Sequence, residues 1–424
     1  MTLQRIILKA VACLFIIVVS YGHAYPYIGL NPRAIGMGGA YSALARDYDA
    51  PLWNPANLGL SDGRNMALGF FNAGVNIRNN SLSLEQYNKY TGQFLDDDDK
   101  EDIVNSMPEQ GVVLDIGAEA SALNFSMGNF AINTRVSGFS SMNMGKDAMK
   151  LLLLGNAVMR EVDLANCRGE SFAVGDLTLS FARALHSWRE GEISIGASLH
   201  YLKGLAYGRV VEADGAVVAT DFGFAGSGFL KMRSALGGTG YATDIGVAMK
   251  FRDDWYFSAA WHNLLSKVRW NSDTEEHVLS FDMQPITVED FMYEGRSDSL
   301  VASSDTSYSI GSFGSKMTPA LILGIARNFR KVTWTLDWQQ TLFNGPGMGV
   351  APRFASGIEY RIWDFLPLRT GMATGGEQGT WFSLGFGFKG GLVTFDFGAA
   401  NAGTPLPANS KGFRLAMSMG LIFR

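Results

Sequence analysis

Lys331 to Phe343 reads KVTWTLDWQQTLF, and it decides the fold. Val332, Trp334, Leu336 and Trp338 fall on one face, while Thr333, Thr335, Asp337 and Gln339 fall on the other. That is the period of two that a β-strand imposes on its side chains. Gly379 to Phe388 repeats it, with Phe382, Leu384, Phe386 and Phe388 against Trp381, Ser383, Gly385 and Gly387. Val393, Phe395 and Phe397 then oppose Thr394 and Asp396. The last segment sets Phe413, Leu415, Met417, Met419, Leu421 and Phe423 against Arg414, Ala416, Ser418 and Gly420.

Alternation alone does not separate a soluble sandwich from a barrel facing lipid. Loop asymmetry does. The pattern predicts fourteen strands, at 65–76, 111–127, 130–140, 171–185, 191–204, 239–251, 255–264, 317–328, 331–342, 352–362, 366–374, 379–388, 391–400 and 411–424. The even-to-odd connections are short, as at Gly128-Asn129, Phe329-Arg330 and Lys389-Gly390. The odd-to-even ones are mostly longer: 77–110, 141–170, 205–238, 265–316, 343–351, 375–378 and 401–410. Tight turns at one end and long loops at the other fit an all-β, 14-stranded antiparallel transmembrane barrel, with turns in the periplasm and loops outside the cell. Trp188, Trp255, Phe329 and Trp363 near the turns, and Trp338, Phe343 and Trp381 toward the other rim, are expected to form aromatic girdles. Asp244, Lys250, Asp337, Arg353, Glu359, Arg361 and Asp396 lie on the polar faces and are expected to line the lumen.

Composition agrees. Of 424 residues 50 are glycine, only 18% are charged and the net charge is −5, with no basic tract, so a nucleic-acid partner is not expected. Arg5 and Lys9, the apolar run Ala10–Ser20 and Gly22-His23-Ala24 read as a secretory signal over 1–24. No later apolar run approaches the ~20 residues of a transmembrane helix. The two cysteines, Cys13 and Cys167, form no metal-binding spacing, and Cys167 reads as a small buried residue. HExxH and GxSxG are absent, and Gly385-x-Gly387-x-x-Gly390 is followed by a strand and not by a helix, so it is no dinucleotide site. His200 and His262 are placed on strands, with no Asp/Glu/His cluster in view. The reading is of a non-enzyme with no metal and no cofactor.

Residues 25–64 precede the first strand and show no sustained alternation; residues 65–424 form the barrel. Within 25–64, Ala34-Ile35-Gly36-Met37-Gly38-Gly39-Ala40-Tyr41-Ser42-Ala43 and Asn54-Pro55-Ala56 suit a compact plug inside the lumen, since glycine permits close backbone approach. The Gly-x-Gly-x-Ala-Tyr-Ser run and the Asn-Pro-Ala motif resemble the N-terminal hatch of FadL-type outer-membrane transporters of hydrophobic compounds. The wider superfamily includes PorV-like proteins of type IX secretion. The resemblance implies an outer-membrane location in a Gram-negative-type bacterium, contact with lipid and lipopolysaccharide, and passive uptake of a hydrophobic small molecule. It also implies a hatch shaped by Gly36, Gly38, Gly39, Asn54, Pro55 and Ala56, and a kink at Gly138 in the third strand. Read as residues alone, Asn54-Pro55 is equally a turn and Gly138 a small lumen residue.

Two long loops carry helical patterns. Asp96–Asp99 reads as an acidic helix start favoured by the macrodipole. Lys146–Asn166 carries Leu151, Leu154, Val158 and Val162 along one side, either a cover for the barrel mouth or an apolar groove for a lipid-like ligand. The alternative to transport is a barrel that binds a protein partner through acidic loops such as 265–316.

Overall fold

The computed structural model describes residues 29–63, 66–154, 161–163, 167–220, 223–252, 254–286, 301–343 and 350–423. The expected signal segment 1–24 lies outside the described residues. The strands are β1 Met66–Asn79, β2 Val112–Met127, β3 Phe130–Met144, β4 Glu161–Asp163, β5 Arg168–Trp188, β6 Gly191–Thr220, β7 Gly223–Ala235, β8 Gly238–Phe251, β9 Trp255–Trp270, β10 Glu275–Ile286, β11 Val301–Ser309, β12 Phe313–Ser315, β13 Ala320–Phe329, β14 Val332–Thr341, β15 Arg353–Trp363, β16 Leu366–Gly375, β17 Trp381–Gly390, β18 Val393–Ala402 and β19 Gly412–Phe423.

Fourteen of them close a ring: β1, β2, β3, β5, β6, β8, β9, β13, β14, β15, β16, β17, β18 and β19, with β19 pairing antiparallel to β1 from Met66↔Phe423 to Arg78↔Gly412. Closure leaves the ring no free edge, and strand pairing satisfies its backbone groups without water. Burial identifies the two sides. Thr333, Thr335, Asp337 and Gln339 of β14 are 3%, 0%, 0% and 7% exposed, whereas outward-facing Leu336, Leu323 and Leu384 are 37%, 44% and 68% exposed. A soluble sandwich buries the opposite face; here the apolar side looks out and the polar side in.

The structure extends and corrects the expected elements. The stretches 205–238 and 265–316, expected as loops, contain long strands. β6 runs on to Thr220 and pairs with β7, β7 pairs with β10, and β10 with β11. Thirty extended residues span about 100 Å, against an apolar band of roughly 25 Å, so β6 projects far beyond the membrane. Gly204 does not end the strand. It makes room for Trp270, whose ring atoms would lie 2.6 Å from a Cβ added there. The acidic helix forms over Asp97–Asn105, where the Asp96 carboxylate caps the Asp99 amide.

Within the expected Lys146–Asn166 helix, by contrast, the described residues form a helix over Lys146–Leu154, and Val162 stands in β4, paired to Val217. Leu151 and Leu154 are therefore helical, Val162 is not, and Val158 lies outside the described residues. The four do not form one helical stripe. Trp188, Phe329 and Trp363 are exposed near the short turns as a girdle requires, but Trp381 is buried in the lumen, with the Arg414 guanidinium 3.9 Å over its ring.

Candidate functional site: the plugged lumen

Residues 29–63 fill much of the barrel interior. Asn31 caps the helix Pro32–Gly36 by accepting from the Arg33 and Ala34 amides at 3.0 and 3.2 Å, and Pro32 at its first position needs no partner for an amide hydrogen. Gly38 and Gly39, at φ +72° and +91°, then turn the chain in a conformation that other residues resist. Tyr41 and Trp53 meet edge to face at 5.5 Å and are fully buried. Asn54 caps the short turn Pro55–Gly59 through its Oδ1, and its Nδ2 donates to the Ser258 hydroxyl and the Val247 carbonyl of the wall at 2.8 and 2.9 Å.

The wall receives this plug in notches made by glycines paired across adjacent strands. Gly357 of β15 is in register with Gly371 of β16, and a Cβ on either would fall within 2.5 Å of Met37. Gly385 of β17 pairs with Gly398 of β18 beneath Gly36 and Pro32. Gly196 of β6 pairs with Gly246 of β8 beneath Asn54-Pro55-Ala56, and Gly69 of β1 with Gly420 of β19 beneath the Tyr48 ring. Any side chain at these positions would fill space that the plug occupies, with its backbone or with the side chains of Tyr48 and Asn54.

The expected lumen charges face inward, and three of them, Asp337, Arg353 and Glu359, hold the plug directly. The Asp337 carboxylate accepts from the Tyr41 and Ser42 amides at 3.0 and 2.9 Å. Arg353 donates to the Gly38 carbonyl at 3.0 Å and to Gln339 at 3.2 Å. Glu359 pairs with Arg369 at 2.8 Å and with Arg33 of the plug at 3.5 Å; Arg369 also meets Asp396 at 2.6 Å. Arg361, nearer the turn end and half-buried, lies 3.5 Å from Glu359.

Asp244 belongs to a second cluster, and here the sequence reading missed most of the residues. One side chain from each of six neighbouring wall strands joins a continuous chain: Glu119 of β2, Arg135 of β3, Asp176 of β5, His200 of β6, Asp244 of β8 and His262 of β9. The successive separations are 3.7, 2.8, 3.1, 3.1 and 2.8 Å. At its end His262 Nε2 lies 3.0 Å from the Trp53 carbonyl of the plug. The absence of an Asp/Glu/His cluster, expected above, is thus corrected; inward-facing alternation on each strand was the only signal that could have found it. No group of three or more His, Cys, Asp or Glu among the described residues is arranged to hold a metal. The six-residue chain itself, with Asn76 and Arg414, forms one part of the wall of a cavity of about 80 Å³, and Leu30 and Leu52 of the plug with Phe139, Phe172, Leu202 and Met317 form the apolar part.

Gly138 lines this cavity, and the β3 ladder is continuous there. Its pairing to Ala118 on one side and Ala173 on the other is in unbroken register. The wall ladder is interrupted elsewhere. β9 pairs with β12 over Val268–Trp270 and with β13 over Trp255–His262, and between them side chains bridge the strands, Asn263 Nδ2 to the Thr318 carbonyl and Ser266 Oγ to the Met317 carbonyl, both at 3.1 Å.

Three solved structures share this architecture. The chain is similar to the Ralstonia pickettii toluene transporter TbuX at 14% sequence identity, covering 93% of this chain and 99% of that one with a TM-score of 0.52. It is similar to a Pseudomonas aeruginosa FadL homologue at 13% identity, with 95% and 100% covered and a TM-score of 0.52. The CymD monoaromatic hydrocarbon channel matches at 14% identity, with 95% and 99% covered and a TM-score of 0.50. At such identities the likeness establishes the FadL-type barrel fold, and with its apolar exterior that fold places the protein in the outer membrane. No curated protein matches the chain. Residues 62–400, nearly the whole barrel, match the model described as a family of unknown function (DUF5723), and the chain belongs to that family.

Proposed function

We propose that this protein is an outer-membrane channel for the passive uptake of hydrophobic or amphipathic small molecules, with residues 25–64 as its hatch. One observation carries the reading: a closed barrel is stoppered by its own N-terminal segment, and the space left in the lumen is walled in part by apolar side chains, Leu30, Leu52, Phe139, Phe172, Leu202 and Met317. The solved structures of the same fold, described as a toluene transporter and a monoaromatic hydrocarbon channel, point to the same chemistry. Such a solute crosses the polar lipopolysaccharide layer poorly, and a protein groove can carry it past. Gly36, Gly38, Gly39, Asn54, Pro55 and Ala56 set the shape of the hatch, and its rearrangement beside the cavity frees a path. Gly138 serves this reading as a small residue in the cavity wall. Leu151 and Leu154 remain candidates for first contact with the solute at the outer mouth.

The test compares uptake of labelled toluene and of a labelled long-chain fatty acid by cells with the intact protein, with the barrel lacking residues 29–60, and with neither. Faster uptake with the intact protein supports the channel; equal uptake in all three dismisses it.

A second reading, binding of a protein partner through the surface loops, is favoured by the sheet of β6, β7, β10 and β11 beyond the membrane. Its strand Val301–Ser309 is exposed along almost its whole length, and exposed strands are templates for pairing with another chain. Removing residues 275–309 would abolish a stable complex under that reading and leave uptake intact.

A further inference from the structure

On the outside of the wall, β6, β8 and β9 carry an ordered series of side chains toward the long-loop rim. Leu199, Thr243 and Leu265 stand in register across the three strands, Tyr201, Tyr241 and Lys267 form the next row, and Lys203, Thr239 and Arg269 the row beyond it. Leu202, Gly204, Val268 and Trp270, the neighbours of the cations along the strands, are buried. Alternation therefore turns Lys203, Lys267 and Arg269 outward, and all three are exposed. Lys316, exposed between buried Ser315 and Met317, adds a fourth cation alongside β9. From Trp255 to Leu265, β9 rises about 33 Å along its own length, or about 25 Å of membrane normal at a tilt near 40°, which is the height of an apolar band. Lys267 and Arg269 follow where that band ends, and Tyr201 and Tyr241, 54% and 48% exposed, mark its border.

No carboxylate answers these four charges. None of them makes an ion pair among the described residues, and Arg269 donates to the Ser312 hydroxyl at 2.9 and 3.2 Å. The patch is also one-sided: at the same rim β13, β15, β17 and β19 turn Leu321, Phe354, Phe382 and Phe413 outward. Neighbouring strands lie about 4.8 Å apart and alternate residues of one strand about 6.8 Å, so Lys203, Lys267 and Arg269 spring from a surface roughly 10 Å across.

We infer that this surface is a binding site for the phosphorylated headgroup of an outer-leaflet lipopolysaccharide. Such a lipid carries phosphates on a disaccharide directly above its acyl chains, and the barrel presents the complementary order, cations above tyrosines above leucines. The Arg269 guanidinium can take phosphate oxygens two at a time, and the lysine stems can lie along apolar surface while their ammonium groups reach the headgroup. Leu199 and Leu265, 54% and 61% exposed, meet the acyl chains below. The site lies outside the wall and goes beyond the channel reading, which concerns the lumen.

The test titrates the full mature protein in detergent micelles with bisphosphorylated lipid A and with lipid A stripped of both phosphates, and measures retained lipid by native mass spectrometry. The phosphorylated form should bind about tenfold more tightly or better. The triple variant Lys203→Gln/Lys267→Gln/Arg269→Gln should lose that preference. Arg189→Gln/Arg330→Gln/Lys331→Gln, which removes the same charge from the short-turn rim, should keep it to within about twofold, because those charges lie beyond reach of the outer leaflet. Phosphatidylglycerol, anionic but without the disaccharide, should compete about tenfold less well, and millimolar inorganic phosphate should not displace the lipid. Retained heat-modifiable gel mobility identifies assembled barrels, and if the first triple variant does not assemble, its three single substitutions take its place, each weakening the binding of phosphorylated lipid A by about threefold. Equal binding of the two forms of lipid A, an equal loss in the two triple variants, or competition on equal terms by phosphatidylglycerol or inorganic phosphate would overturn the site. The readout is lipid retention and not solute flux, so its failure leaves the channel reading standing, and failure of the uptake assay leaves the lipid site standing.

Discussion

The two ends of the plug are held by different physics. Around Pro32–Gly39 the contact is backbone against backbone over paired glycines, sealed by Arg33, Glu359, Arg369 and Asp396. Near Trp53 the plug also sits over a glycine pair, but a hydrogen-bonded chain beside a cavity supplies the neighbouring contact. Close packing transmits any displacement directly, whereas a polar contact beside free volume can break and re-form locally. Under the proposed hatch reading, the difference makes the β2 to β9 side the place for the plug to yield and the β15 to β18 side its seat.

Four substitutions would break or sharpen that contrast. Arg369→Ala should have the largest effect, since it takes from buried Asp396 its ion-pair partner and from buried Glu359 the nearest of its three; a loss of about 3–5 kcal/mol is expected, read from equilibrium urea unfolding in lipid vesicles. If it costs no more than His262→Gln, the two ends are not different in kind. Gly371→Ala places a methyl 2.2 Å from the Met37 carbonyl carbon, and the overpacking should cost about 1–3 kcal/mol. It should also expose residues 37–45 to protease, while the outer loops are cut as in the unsubstituted protein. Asp337→Ala leaves the buried Tyr41 and Ser42 amides without their acceptor, for a loss of about 1–2 kcal/mol, measured as a lower unfolding midpoint with unchanged slope. Lys100→Ala, in the exposed helix where Lys100 pairs with Asp97 at 2.8 Å, should leave the midpoint unchanged, because a solvent-exposed ion pair contributes little.

The strand pattern was legible because its cause is local. Thr333, Thr335, Asp337 and Gln339 share a face in any extended chain, whatever lies opposite. The plug was legible as a glycine-rich segment without alternation, tied to the first strand. The β6 and β10 extensions were not: 205–238 and 265–316 were expected as loops, and nothing local shows that Trp270 lies over Gly204. Trp381 misled for a related reason: an aromatic near a strand end suits a lipid interface, but its place on the polar face put it in the lumen, under Arg414.

The candidate site divides the same way. Asp244, Asp337, Arg353, Glu359, Arg361 and Asp396 could be assigned to the lumen by alternation alone, yet nothing in the sequence links His200 to Asp176 and Asp244, which lie 24 and 44 positions away. The amino-acid sequence by itself determined that the chain alternates, which face of each strand is polar, and that a compact small-residue segment precedes the barrel. Tertiary structure alone decided that Gly357 stands beside Gly371, Gly196 beside Gly246, and that six side chains from six strands meet end to end. Side-chain alternation is a property of one strand, but register is set between strands by turn length, bulges and closure of the ring, so what meets across the lumen exists only once the barrel is shut.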